Sequence, residues 1–142
     1  MQDVFIFLYI QLIFLSIGFW EAYLEGKGGW AANQCGWRIK FWPRSLDAYH
    51  FWCWVVMIPL FLMLPFVIFG FAWHYFWLVI ASALIGTVLE DFTWFVVNPE
   101  FPLRDFNSEK VKWHKWWKLG KFEIPDFYIP FLAAGLIILF LI

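Results

Sequence analysis

Glu90 and Asp91 stand side by side inside an apolar run, Phe71–Val97. An acid at the centre of a membrane helix costs about 2.5–3.5 kcal/mol on the insertion scale. Neighbours on a helix point roughly 100° apart. The two carboxylates therefore cannot both face lipid cheaply, and at least one must meet the protein interior, water or a cation. Groups of related chemistry stand at the ends of the other runs. Glu21 and Glu25 close the first run, four residues apart and so on one helix face. Tyr49-His50 opens the second, Asn98 ends the third, and His114 lies in the connection that follows.

Four carboxylates and two imidazoles are the donor inventory of a di-iron or di-manganese carboxylate centre. The Glu-x-x-His spacing of the soluble examples is absent. For a single ion, two histidines and one carboxylate would leave positions open for substrate or water. The candidate metal ligands are His50, His114 and Glu90, joined by Glu25 and Glu21, and the candidate cofactor is a divalent transition metal (iron, manganese, zinc or copper). Glu90 and Asp91 are the candidate catalytic acids and bases. Asn98 and Tyr49 are candidates for orienting the imidazoles. A plainer alternative leaves Glu90 and Asp91 at headgroup level beside Lys or Arg. Glu90 is about two turns, roughly 12 Å, from the end of a helix that runs to Asn98.

Other chemistries have less support. Ser16 and Ser82 fall in mid-run, and Ser45 and Ser108 lack a nucleophile-elbow motif. Gly26-Lys27-Gly28-Gly29 lacks the pattern of a phosphate loop and a strand before it. No CxxCH haem attachment occurs, and Cys35 and Cys53 have neither CxxC nor zinc-type spacing. They read as inert thiols.

The elements that would position these groups are helices. Apolar residues make up 63% of the chain, against about 45–50% in soluble domains. Runs near Val4–Trp20, Phe51–Phe69, Phe71–Val97 and Phe127–Ile142 approach the roughly 20 residues needed to span a bilayer. The fold class expected is all-α: one domain over 1–142, with four transmembrane helices at about 4–25, 51–69, 71–98 and 126–142. Nothing reads as a strand. Pro59 and Pro65 predict kinks in the second helix. Ser82 and Gly86 give the third a small-residue stripe for close contact. The last run is short, 16 residues from Phe127, which implies local thinning of the bilayer.

Up-and-down threading places the connections 26–50 and 99–125 on one face. All ten Lys and Arg (Lys27, Arg38, Lys40, Arg44, Arg104, Lys110, Lys112, Lys115, Lys118 and Lys121) fall in them. The positive-inside rule makes that face cytoplasmic and puts both termini outside. The segment from Trp30 to His50 reads as interfacial, amphipathic and in part helical, broken at Pro43. Most of the twelve tryptophans, among them Trp30, Trp42, Trp94 and Trp113, read as an aromatic belt at that boundary, with Trp73 and Trp77 marking the other.

Three functions fit these features. The first is a small integral membrane enzyme with a cytoplasmic-side acid and histidine site, metal-dependent, acting on an apolar or amphiphilic substrate. The second is a non-catalytic accessory subunit of a larger membrane complex. The third is a proton- or cation-conducting oligomer with Glu90 as its pore acid. Membrane lipids are the expected partners, with a membrane-protein partner or a second copy as a further candidate. Nucleic acid is not expected, because the basic residues are diluted by Trp and acids.

Overall fold

The computed structural model describes residues 1–30, 35–41, 44–120 and 122–142. The expectations placed on Trp42, Pro43 and Lys121 lie outside them. The chain is mostly helical. Helix α1 is Gln2–Glu25, α2 is the continuous segment Ala48–Phe69, α3 is Trp73–Val97 and α4 is Tyr128–Leu141. The first three are long and apolar enough to cross a membrane. Helix α4 is apolar but has only 14 residues.

Two β-hairpins correct the all-α expectation. Strands β1 (Arg38–Phe41) and β2 (Arg44–Asp47) pair antiparallel, with Arg38 opposite Asp47. Strands β3 (Trp116–Leu119) and β4 (Phe122–Pro125) pair antiparallel, with Trp116 opposite Pro125. Extended hairpin therefore replaces the expected partly helical character of the segment before His50. In both connections, short strands satisfy one another's backbone groups next to the helix ends. Gly120, at φ 64°, supplies a left-handed residue after β3.

Contacts set the helix directions. Helices α1 and α3 run parallel: His74 Nε2 lies 2.9 Å from Asp3 Oδ2 at one end, and Asn98 Nδ2 donates to the Gly26 carbonyl at 2.8 Å at the other. Gly86 lets the Phe14 ring of α1 pack directly against the α3 backbone. Gly18 brings α1 against the Glu90 carbonyl, where an added Cβ would stand 2.6 Å from that oxygen. Helix α4 runs antiparallel to α3, with Gly135 against Ala81 and Ile85. Helix α2 returns beside α1, where the rings of Phe14 and Trp54 meet.

The proline effect in α2 is a change of winding. Pro59 has no N–H to give to the carbonyl four residues back. The preceding stretch, Phe51–Met57, is π-helix, and the Ile58 amide donates to the carbonyl of Cys53, five residues away. The turn ahead of the proline is thus bonded in the wider register.

The connection 99–125 folds back over the polar end of the bundle. Phe101 and Val111 are buried with Ala22, Trp94 and Phe95, and Phe106, Trp113 and Trp116 pack on them. The Trp116 indole N–H donates to the Val111 carbonyl at 3.0 Å. Ser108 donates from its amide to Glu123 at 2.6 Å and from its hydroxyl at 3.1 Å, and Lys118 pairs with Glu123 at 3.2 Å. The Ser108 amide and hydroxyl, together with Lys118, hold the Glu123 carboxyl below the ordinary carboxylate range. This cap carries His114 into the bundle end.

Candidate functional site

The polar end of the bundle holds two separate acid–histidine clusters. The first is built on the start of α2. Asp47 caps that helix, accepting from the His50 amide at 3.0 Å, and its Oδ1 lies 2.6 Å from His50 Nδ1. His50 Nε2 lies 2.8 Å from Glu25 Oε1 of α1. The ring is 1% exposed, and Trp30 and Tyr49 pack on it. Burial works against the charge of Asp47. The His50 amide and ring and the Cys35 amide outweigh it, and they hold the carboxyl below its ordinary range. With a carboxylate at each nitrogen, His50 ties α1 to α2.

The second cluster is built on α3. Asp91 Oδ1 lies 2.9 Å from His114 Nε2, and Asp91 Oδ2 accepts from the Tyr128 hydroxyl of α4 at 2.6 Å. The His114 side chain is 5% exposed. Its Nδ1 is buried and has no hydrogen-bond partner among the described residues. The buried Trp94 Nε1, one turn beyond Glu90, also has none among them.

Glu21 and Glu90 lie between the two clusters. Both are buried, and their side chains are in hydrogen-bonding contact. The Trp54 indole N–H donates to Glu21 Oε1 at 3.0 Å. Glu90 therefore faces the interior of the bundle. Glu21, Glu25, Glu90, Asp91, Trp94 and His114 all line a cavity of about 770 Å³ that is open on one side.

The residues singled out from sequence are thus distributed unevenly. His114, Asp91, Glu90, Glu21 and Glu25 share the cavity, whereas His50 lies behind Glu25, committed to its two carboxylates. Asn98 bonds the Gly26 carbonyl and the Glu100 and Phe101 amides, so it fastens helix ends and touches neither imidazole. Tyr49 meets the His50 ring edge-on. Among the described residues, no three His, Cys, Asp or Glu side chains form a group that could hold a metal ion, so the metal expectation gains no support. Cys35 is exposed and Cys53 is buried.

Sequence reasoning missed Asp47, Tyr128, Trp94 and Trp113. Asp47 had a signal, an N-cap acid three residues before His50. Trp94 and Trp113 had been placed in the aromatic belt, but both line the cavity, and Trp94 is only 4% exposed. Tyr128 had no local signal. The chain matches no family model, no curated protein and no solved structure.

Proposed function

We propose that the chain is a small integral membrane enzyme whose cavity receives an amphiphilic molecule and whose Asp91–His114 pair performs acid–base chemistry on it. By the charge asymmetry of its connections, the cavity end is cytoplasmic, both termini are outside, and α4 completes a four-helix membrane bundle. The observation that carries the reading is His114 itself. Nε2 lies 2.9 Å from the Asp91 carboxylate, and Nδ1 is buried without a partner among the described residues, in a ring that lines a cavity. A carboxylate that fixes an imidazole's tautomer and orientation leaves the second nitrogen to take a proton. His114 would accept the proton of a water or hydroxyl nucleophile as it attacks an ester or phosphoester, then return it to the leaving oxygen. The Tyr128 hydroxyl holds the second oxygen of Asp91, so the orienting group is itself fixed.

The test is turnover of a panel of amphiphilic esters and phosphoesters by protein purified in mild detergent. His114→Ala should lower the rate by about 100-fold or more, and Asp91→Asn should follow it, with helicity unchanged. Full activity in His114→Ala would end the proposal. Elemental analysis of the same preparations tests the metal. A near-stoichiometric transition metal, lost in both His114→Ala and Glu90→Gln, would assign one to the site.

A further inference from the structure

We infer that the cavity recognises the zwitterionic headgroup of a membrane lipid, a primary ammonium joined to a phosphate. This rests on the reading above that an amphiphile enters it, and it names the headgroup. The two halves of the argument come from different groups. Glu21 and Glu90 bring two buried carboxyl groups into contact, with Glu25 one turn from Glu21. Two carboxyl groups in contact require a proton or a cation between them. A primary ammonium has three N–H donors to distribute among them, and a quaternary ammonium has none.

The second half concerns donors. The Trp94 indole nitrogen can only donate, and it is buried with no acceptor among the described residues. His114 Nδ1 is buried and unpartnered among them as well. Buried polar atoms in folded proteins are nearly always satisfied, so the Trp94 N–H points to an acceptor supplied by a ligand, while His114 Nδ1 is left, as in the reading above, to accept a proton. Lys112 and Lys115 stand exposed at the rim, and Lys112 Nζ donates to the Ser108 carbonyl at 3.0 Å. The remaining charged groups of the lining are Asp91, held by His114 and Tyr128, and Asp126. An acceptor-rich pocket therefore adjoins a donor-rich one. Glu90 and Trp94 are one turn apart on α3, about 6 Å of rise, which suits an ammonium and a phosphate separated by a two-carbon link. A cavity of about 770 Å³ holds such a headgroup with the start of its chains.

The experiment is calorimetric titration of the full chain in detergent with three short-chain lipids of identical tails: phosphatidylethanolamine, phosphatidylcholine and phosphatidylglycerol. Free phosphoethanolamine is the fourth probe. The ethanolamine lipid should bind about tenfold tighter than the glycerol lipid, with the choline lipid between them. Glu90→Gln, and independently Glu21→Gln, should remove that preference. Trp94→Phe should weaken all three lipids together. Equal affinity for the ethanolamine and glycerol lipids, or for the ethanolamine and choline lipids, would overturn the assignment. So would a preference that survives both carboxyl substitutions. Free phosphoethanolamine binding as tightly as the lipid would overturn the membrane source. If the wild type turns over an amphiphile without headgroup preference, this inference fails and the enzyme reading stands. If the preference holds and His114→Ala leaves turnover unchanged, the enzyme reading alone fails.

Discussion

His50 has a carboxylate at each ring nitrogen, Asp47 at 2.6 Å and Glu25 at 2.8 Å, whereas His114 has one, Asp91, and a nitrogen to spare. Two histidines of equal promise in sequence therefore do different things. The first fastens helices and the second faces a cavity. Asp47→Ala should cost about 2 kcal/mol, through the lost helix cap and the stranded imidazole. The depressed pKa of Asp47 fixes the pH sense. A carboxyl held below its unfolded value contributes its full stability above the ordinary carboxylate range, and that stability is lost as pH falls through the folded value. Thermal unfolding in detergent at neutral pH and below roughly pH 4 checks this, since the gap between wild type and Asp47→Ala should close on acidification. Glu90, Asp91, Glu21, Glu25 and His114 were legible from sequence because topology alone brings the ends of apolar runs together. The separation of the two histidines was not. It depends on Asp47 and Tyr128, whose partners lie on the imidazole and on another helix, and on rotations that a list of residues does not contain.

At the scale of elements, Gly86 decides how closely α1 and α3 approach, because the Phe14 ring occupies the space a side chain would need. Gly86→Ala should destabilise the bundle by about 1–3 kcal/mol, the usual cost of overpacking a core. Its melting temperature in detergent should fall, and the companion Phe14→Leu change should restore part of the loss. The small-residue stripe was readable because it repeats at helical spacing. The hairpins were not. Their strands are only four residues long, so even the alternation of Arg38-Ile39-Lys40-Phe41 is too brief to separate a strand from an interfacial segment. Pro43 in the first connection and Gly120 in the second were the turn signals available. In α2, Pro59 and Pro65 predict kinks, and the structure has π winding ahead of Pro59; sequence does not say whether a helix bends or widens.

For the whole molecule, the segregation of ten basic residues into two connections is the basis for orientation. Cys35 is exposed on one of those connections, while Cys53 is buried. A membrane-impermeant maleimide should label Cys35 only after intact cells are permeabilised. Labelling of intact cells would mean the opposite orientation. The parallel pairing of α1 with α3 and the antiparallel return of α4 place Glu21, Glu90, Asp91 and Tyr128 at the same end, whichever way the molecule is inserted.

The 14 residues of α4 rise about 21 Å, while a typical hydrocarbon core is about 30 Å thick. Its neighbour α3, with 25 residues, rises about 38 Å. No single bilayer matches both. On the four-helix membrane reading proposed above, a shortfall of about 9 Å beside α4, at a fraction of a kcal/mol per Å, makes thin membranes the lower-energy host. On that reading a single helix length biases the chain toward the thinner membranes of a cell.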